Sequence, residues 1–238
     1  MITYDYDKIA PLCSGFGLEL TAEIKDRLTL YGNLLTEWNE KMNLTAITDP
    51  EGVLYKHFYD CLLLFKNAEV KNGAKIIDVG TGAGFPGMVL KIARPDIDLT
   101  LLDGLNKRLI FLNEVLNALG LSAETVHLRA EEGGKNPKYR EQYDIACARA
   151  VAPLNVLSEY CIPYVKKGGF FIAMKGSRAE EELEAAKNAY KILGCEKPRQ
   201  FCETLTGEEK RTFIISKKIS QTPPKYPRSN GKISKTAL

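Results

Sequence analysis

The chain has 238 residues, of which 45% are hydrophobic and 26% charged, so it can bury a full core and is neither a disordered nor a fibrous protein. No run approaches the roughly 18 consecutive apolar residues of a membrane span, and the first residues carry acids where a secretory signal carries bases. Six cysteines without a C-x-x-C pair and two histidines favour neither a disulfide framework nor a metal site. We therefore expect a cytoplasmic protein that binds no metal and no membrane.

The net charge of +3 is unevenly distributed along the chain. Acidic residues stop at Glu209, and eight of the 33 lysines and arginines follow it. The part of the chain up to Glu209 therefore has an excess of acid, whereas the C-terminal end is wholly basic. Such an end either contacts phosphate groups or only keeps the terminus soluble, and composition leaves both interpretations open.

The first seventy residues read as helical. Within 21–42, apolar residues recur at steps of three and four, which is the spacing of one helical face. At 49–51 the sequence DPE combines an N-cap acid, a proline at the first helical position and a glutamate that suits the helix dipole. A second helix is therefore predicted from there to Phe65, and residues 1–70 are expected to form a helical N-terminal extension.

From Lys75 onward the sequence pattern consists of short apolar runs that alternate with helical patterns, as in a parallel sheet with crossover helices. Predicted strands are KIIDVG, LTLLDG, ETVHLRA, YDIACARA and GGFFIAMKG, and an edge hairpin is expected from 195–203 and 211–217. One predicted helix follows the first strand and ends at Ala93, and two others span 106–119 and 178–193.

Seven strands with a closing hairpin predict a doubly wound α/β domain over 71–217, in which the last strand is antiparallel. Residues 218–238 have no hydrophobic period, and we expect them to form a mobile basic tail.

The strongest chemical signal is IIDVGTGAGFPG at 76–87, where a strand runs into a glycine-rich turn and then a helix. Because Gly80, Gly82 and Gly84 lack Cβ atoms, a ligand can approach the backbone there, near the positive end of the next helix. Asp103 closes the second predicted strand, where a carboxylate can accept hydrogen bonds from both hydroxyls of a ribose. The pattern therefore predicts a nucleoside cofactor.

The same glycines leave the type of cofactor open, because Gly82, Gly84 and Gly87 also satisfy the G-x-G-x-x-G pattern of dinucleotide-binding enzymes. Asp78 argues against a pyrophosphate, since a carboxylate repels phosphate, and Pro86 interrupts the helix that should cradle it. Asp78 would suit the ammonium and sulfonium groups of S-adenosylmethionine. A nicotinamide-dependent oxidoreductase stays open as an alternative, as does a glycine turn that binds nothing.

Taken together, several motifs resemble those of the RsmG family, also called glucose-inhibited division protein B, the bacterial 16S rRNA guanine N-7 methyltransferases. The resemblance covers nearly the whole chain and rests on EWNEKMNLTAI (37–47), HFYDCL (57–62), DVGTGAGFPG (78–87), LLDGLNKR (101–108), RAEE (129–132), ARAVAPL (148–154), MKG (174–176) and YPR (226–228). It implies a Rossmann-like class I methyltransferase fold, S-adenosylmethionine as cofactor, and 16S rRNA as substrate, within the small subunit or an assembly intermediate. A monomer is expected.

The resemblance also implies particular site residues. Those implied to contact the cofactor are Gly80, Phe85, Ala130, Glu131 and Arg149, to which the glycine loop itself adds Asp78, Gly82, Gly84 and Asp103. Basic residues near the expected pocket mouth are candidates for RNA contacts, namely Arg108, Arg149, Lys175 and Arg228. Arg149 stands in both sets because a guanidinium gains little beside a cationic methyl donor and could instead face RNA.

Methyl transfer to guanine N-7 needs no general base, because that nitrogen has a free lone pair. ARAVAPL correspondingly lacks the N-P-P-aromatic clamp that methylation of an exocyclic amine uses, and Cys147 is read as a buried filler. His57 and Asp60 lie three residues apart on one predicted helix face, which favours a role in fixing that helix to the core, while the family pattern leaves a role in the site open. Catalysis is then expected to rest on positioning.

The chain departs from the family pattern at a few places. Gly104 and Cys61 stand where the family usually has serine, and SNGKISKTAL follows YPR where the family is usually rich in proline and lysine. These changes lie outside the glycine loop. Hydrogen bonds that the serine hydroxyls form in the family are not expected here, and the way in which the family's tail docks need not apply to this chain. The alternatives kept are a methyltransferase for another RNA or a small molecule, the oxidoreductase, and a non-enzymatic ribosome-assembly factor.

Overall fold

The computed structural model describes residues 2–238 and contains a seven-stranded sheet of strand order β3-β2-β1-β4-β5-β7-β6. Its strands are β1 (Lys75–Val79), β2 (Asp98–Asp103), β3 (Glu124–His127), β4 (Tyr143–Arg149), β5 (Val165–Lys175), β6 (Arg199–Thr206) and β7 (Glu209–Lys217). The first five strands pair in parallel, whereas β7 is antiparallel to both β5 and β6. The predicted doubly wound sheet with a closing hairpin is confirmed.

The helices flank this sheet and include short single turns. They are α1 (Ala10–Ser14), α2 (Ala22–Met42), α3 (Pro50–Gly52, Val53–Tyr59 and Asp60–Leu62), α4 (Leu64–Asn67), α5 (Gly87–Ala93), α6 (Asn106–Leu119), α7 (Ala130–Gly133), α8 (Leu154–Cys161), α9 (Ala179–Ala185), α10 (Lys187–Ile192) and α11 (Asn230–Lys235). The middle segment of α3 is π-helical. No helix in the described part of the chain has the length and apolar character needed to cross a bilayer.

One predicted helix is interrupted. The segment 178–193 was expected to be continuous, but Ala186 separates α9 from α10 with φ −96° and ψ 0°. Ala186 is fully buried, so the chain bends at a residue whose small side chain can enter the core. The single-helix prediction is therefore wrong at this point, because a local period cannot report a bend that packing imposes.

The N-terminal extension shares a core with one face of the sheet. Leu28, Tyr31 and Leu35 of α2 and Phe58 of α3 are buried in the same hydrophobic cluster as Phe111 of α6. The side chain of Thr21 caps α2, and that of Asp49 caps α3, with its Oδ1 accepting from Gly52 N at 2.6 Å. The apolar faces read from the sequence thus bind the extension to the domain that carries the glycine loop.

The C-terminal segment also packs on the domain, which corrects the expectation of a mobile tail. Arg140 donates hydrogen bonds to the carbonyl oxygens of Tyr226 (2.8 Å) and Thr222 (2.7 Å). Lys218 is fully buried and donates to Ile162 O at 3.0 Å. Tyr226 and Ile233 of this segment are also buried. Polar contacts and isolated apolar residues have no sequence period, which is why the apolar pattern did not predict the packing.

Candidate functional site

The glycine-rich turn after β1 borders a cavity of about 430 Å³ at the carboxyl edge of the parallel strands. Gly80 lines it with φ +73°, a left-handed conformation that an L side chain adopts at a cost. Added there, a Cβ atom would also lie 2.8 Å from Cγ2 of Val151. The backbone amides of Gly80 and Thr81 donate to Leu102 O at 2.8 and 3.0 Å, which ties the turn to β2.

Asp103 lies at the end of β2 and lines the same cavity with 2% of its surface exposed. Its Oδ2 accepts from Gly82 N at 2.9 Å and from Arg108 Nη1 at 3.2 Å, and its Oδ1 accepts from Leu105 N at 2.8 Å. Two carboxylate oxygens offer about four acceptor sites, so one remains, on Oδ1 beside the Leu105 contact. The carboxylate thus fixes the glycine turn and retains acceptor capacity toward the cavity.

Asp78 lies beneath the turn and does not line the cavity. Its Oδ2 accepts from Thr81 Oγ1 at 2.7 Å and from Gly87 N at 2.9 Å, while its Oδ1 is buried without a hydrogen-bond partner within residues 2–238. Burial raises the pKa of Asp78 to about 6. In this structure the carboxylate braces the turn from below, and the contact with a cationic cofactor group that the sequence suggested stays a prediction.

The opposite wall of the cavity comes from later parts of the chain. Ala130 and Glu131, expected after β3, both line it, and Ala130 O accepts from Tyr164 Oη at 2.7 Å. Two further residues of this wall, Tyr160 and Asn230, were not expected, and Tyr160 Oη donates to Asn230 Oδ1 at 2.7 Å. No motif marks these two residues, because the packed C-terminal segment is what brings Asn230 to the cavity.

Phe85 and Arg149 lie outside the lining of this cavity and contact each other. The Arg149 guanidinium carbon lies 4.8 Å from the Phe85 ring centre, and the ring of His57 stacks on Phe85 at 4.3 Å. From α2, Tyr31 donates from its hydroxyl to Ala83 O at 2.5 Å. The glycine turn is therefore supported from behind by an aromatic and cationic cluster that includes the N-terminal extension.

Asp60 is the anion of this cluster and is fully buried. Its Oδ2 accepts from Arg149 Nη1 at 2.7 Å, and both of its oxygens accept from Arg211 at 2.6 and 2.9 Å. One carboxylate therefore joins α3 to the ends of β4 and β7. Because the Arg149 side chain is only 10% exposed in this pairing, the geometry argues against the direct contact with RNA that was expected of it.

His57 is neutral in this setting. Arg149 Nη2 lies 3.1 Å from Nδ1, which makes Nδ1 an acceptor and leaves Nε2–H to donate to Thr45 Oγ1 at 2.8 Å. Burial and the neighbouring Arg149 lower the pKa of His57 to about 3. His57 and Asp60 therefore do what the sequence suggested, since both fix α3 to the core.

A second cavity of about 310 Å³ adjoins the first, and Ala150 and Val151 line both. Ala150 has φ +57°, an uncommon value for a residue with a Cβ atom, and such outliers concentrate at functional sites. The charged side chains around this cavity are those of Lys175, Arg178, Glu182 and Arg211. Two cavities on either side of one strained residue can hold a donor and an acceptor molecule next to each other.

The other basic residues predicted for RNA contacts are partly occupied. Lys175 is buried and donates to Ala152 O at 2.6 Å beside the Glu182 carboxylate. Arg228 forms a two-pronged pair with the fully buried Glu159, in which Nη2 donates to Oε2 at 2.6 Å. Only Arg108 among them has a side chain as much as 39% exposed, at the mouth of the first cavity.

The first cavity fits S-adenosylmethionine. Its volume lies within the range of about 300–1,000 Å³ of small-molecule sites. Gly80 offers close backbone approach, Asp103 offers an acceptor for ribose hydroxyls, and Glu131 adds a carboxylate that suits a cation. The group would be held by these residues and by Ala130, so four of the nine expected cofactor residues line the cavity, while Asp78, Gly82, Gly84, Phe85 and Arg149 form its support.

Comparison with known folds supports the architecture. The structure is similar to that of TrmN from Thermus thermophilus, with a TM-score of 0.52, 18% identity and coverage of 70% of this chain and 53% of that one. It is also similar to the YcgJ protein of Bacillus subtilis, with a TM-score of 0.51, 11% identity and coverage of 69% and 100%. At these identities the likeness shows the fold alone, which is that of class I methyltransferases.

Sequence comparison is more specific. The chain is 48% identical over 236 residues to a ribosomal RNA small subunit methyltransferase G of Clostridium beijerinckii, covering 98% of both chains. It is 52% identical over 228 residues to the protein of that name from Acetivibrio thermocellus, covering 94% and 93%. Residues 24–212 match the model of the GidB family, described as rRNA small subunit methyltransferase G. The resemblance read from the motifs is thereby confirmed, and the chain belongs to the rRNA small subunit methyltransferase G family.

Proposed function

We propose that this chain transfers a methyl group from S-adenosylmethionine to N7 of a guanosine in small-subunit (16S) ribosomal RNA. The observation that carries the proposal is the pair of cavities that share Ala150 and Val151, one of cofactor size with Asp103 in its wall and one lined by cationic side chains. Membership in a family whose relatives are ribosomal RNA small subunit methyltransferases supports it. Its substrate would be met in the cytoplasm, on the subunit or an assembly intermediate.

The chemistry asks for position more than for acid or base groups. When bound, S-adenosylmethionine supplies an electrophilic methyl group on a cationic sulfur. Guanine N7 carries a free lone pair, so no residue has to remove a proton before transfer. Gly80 and Asp103 would orient the nucleoside in the first cavity, which Ala150 and Val151 separate from the second. Holding two reactants in line converts an encounter in solution into a reaction within one complex.

Recognition of RNA would rest on cations at the rims of the two cavities. Arg108 lies at the mouth of the first cavity, and Arg178, which is exposed, lies at the second. Most hydrogen bonds to nucleic acid go to phosphates, which position the molecule, so these two residues are suited to hold the strand that carries the target base. A stacked base must leave its helix to enter the second cavity.

The test uses purified protein with labelled methyl donor and three acceptors: unmethylated small subunits, protein-free 16S rRNA and transfer RNA. We expect 7-methylguanosine at a single 16S position, mapped by digestion and mass spectrometry. Label found only in transfer RNA or in small molecules would contradict the proposal. Calorimetry distinguishes the oxidoreductase alternative, since S-adenosylhomocysteine should bind and a nicotinamide dinucleotide should not.

A further inference from the structure

Glu182 is the only carboxylate among the residues that line the second cavity within the described chain, and its surroundings are unusual for a surface glutamate. Its Oε2 accepts from Leu154 N at 2.8 Å and lies 2.6 Å from Lys175 Nζ. Its side chain is 20% exposed. Within residues 2–238 no donor is paired with Oε1. One oxygen is therefore fixed by a hydrogen bond and an ion pair, while the other keeps its acceptor capacity.

The contacts of Glu182 Oε2 with Leu154 N and Lys175 Nζ form a brace that holds the carboxylate in place. Lys175 is itself held, because its Nζ donates to Ala152 O at 2.6 Å. Leu154 N is the first amide of α8 and has no acceptor within the helix, so the Glu182 carboxylate satisfies it. The cationic side chains that line the same cavity are those of Lys175, Arg178 and Arg211. An acceptor that is fixed in a cavity discriminates ligands by the hydrogen-bond donors that they present.

Guanine is the base whose donors match this acceptor. Its N1–H and N2–H groups lie side by side on the Watson–Crick edge, across the ring system from N7. Adenine presents an unprotonated N1 at the corresponding place, whose lone pair would face the carboxylate. A flipped base is commonly read through that edge. A guanine with N7 toward the wall of Ala150 and Val151 would turn its N1–H and N2–H groups away from that wall.

We propose that Glu182 determines base specificity by accepting hydrogen bonds from the N1–H and N2–H groups of the target guanine through Oε1. The inference rests on the proposed function, because it assumes that the second cavity receives the acceptor base. It adds a specificity-determining residue, placed on α9, to a site whose expected cofactor residues lie at or just after the carboxyl ends of β1, β2, β3 and β4. Sites that hydrogen-bond a substrate strongly reject analogues that lack the bonded group.

The experiment replaces the target guanosine by inosine, which keeps N7, O6 and N1–H and lacks only the 2-amino group. Small subunits are assembled from 16S rRNA carrying either base at the position mapped for the unaltered protein, and kcat/KM is measured for each. We expect the unaltered protein to prefer guanosine by roughly tenfold or more, because a hydrogen bond to a charged acceptor is lost. Equal rates on the two bases would overturn the inference.

Glu182→Gln should bring that preference to within about twofold of unity, since its one carbonyl oxygen is needed at Leu154 N and its amide NH2 would face the donors of guanine. S-adenosylhomocysteine should bind as before, because Glu182 does not line the first cavity. If Glu182 only braced α8 and did not contact the base, Glu182→Gln would lower kcat/KM equally for the guanosine and inosine substrates. That result would also overturn the inference.

Two further variants complete the design. Glu181→Gln, on the exposed side of α9, is the matched control and should keep the preference of the unaltered protein. Glu182→Asp retains the carboxylate but is one methylene shorter, so it cannot reach both the brace and the base. We expect the preference for guanosine to fall at least threefold. An unchanged preference counts against the inference even if the glutamine variant does not fold. If the unaltered protein methylates neither subunit, the proposed function itself fails.

Discussion

The two halves of the site are built in different ways. Around the glycine turn the hydrogen bonds join residues close in sequence: Thr81 and Gly87 bond to Asp78 three and nine positions away, and Gly82 bonds to Asp103 at a separation of 21. Behind the turn, Asp60 bonds to Arg149 and Arg211 at separations of 89 and 151. The first half is a local motif, whereas the second exists only after the chain has folded. Substitutions in the two halves should therefore fail differently.

Asp60→Asn should have the largest effect on stability. It removes the one anion that faces two buried or half-buried guanidinium groups, and loss of one partner of a buried pair costs about 3–5 kcal/mol. We expect a matching decrease in the free energy of unfolding, measured by urea denaturation. Glu37→Gln, which breaks an exposed pair with Lys41, is the control and should leave the denaturation midpoint nearly unchanged. An unaltered midpoint for the Asp60 variant would show that the cluster is not a structural tie.

Arg228→Met tests the second long-range contact. Glu159 is fully buried and would lose its pairing partner, so we expect a loss of about 2–3 kcal/mol and a C-terminal segment that exchanges amide hydrogens faster. Lys232→Met changes a basic residue of the same segment that is exposed. Equal protection of 219–238 in both variants would contradict the role given to the Glu159 pair.

Gly80→Ala tests the local half. The φ of +73° costs about 1–2 kcal/mol for a residue with a Cβ atom, and the contact with Val151 adds to it, so S-adenosylhomocysteine should bind roughly tenfold to a hundredfold more weakly by calorimetry. Val151→Ala in the same chain should restore part of the affinity. Gly73 has φ +66° with open space around it, and Gly73→Ala should weaken folding without weakening ligand binding.

The pH dependence of stability gives the smallest effect. The pKa of His57 is lowered to about 3 in the folded chain from 6.5, so protons bind the unfolded chain first and stability falls as pH falls below about 6.5. Between pH 7 and 6 this amounts to about 0.7 kcal/mol by linkage. The difference in unfolding free energy between the unaltered protein and His57→Gln should shrink by that amount over this interval.

Asp78 acts in the opposite direction. Its pKa is raised to about 6 from 3.8, so the folded chain takes up a proton first and stability rises as pH falls through 6 toward 4. Comparison of Asp78→Asn with the unaltered protein over pH 7 to 4 should therefore show a difference of opposite sign. If the difference in unfolding free energy between the unaltered protein and His57→Gln did not change with pH, the His57 imidazole would titrate alike in the folded and unfolded chains.

The sequence predicted the fold well where a period or a motif carries the information. Helix 106–119 and the end of the helix at Ala93 are as predicted, and the closing hairpin is present, although its first strand begins at Arg199 and not at residue 195. Of the residues predicted to bind the cofactor, Gly80 after β1, Asp103 at the end of β2, and Ala130 and Glu131 after β3 line the first cavity. Turn chemistry and strand ends are local properties, and the order of a doubly wound sheet then places them at one edge.

Local patterns and motifs were sufficient to predict the class of fold, the glycine turn with Asp103 at the neighbouring strand end, and the family. Tertiary packing places Asp78 beneath the turn and pairs Arg149 with Asp60. It also holds the basic C-terminal segment on the domain and brings Glu182 to the cavity that the strained Ala150 lines. The reason is physical: backbone conformation follows from neighbouring residues, whereas a buried charge is satisfied by whichever partner the fold brings to it, from any distance along the chain.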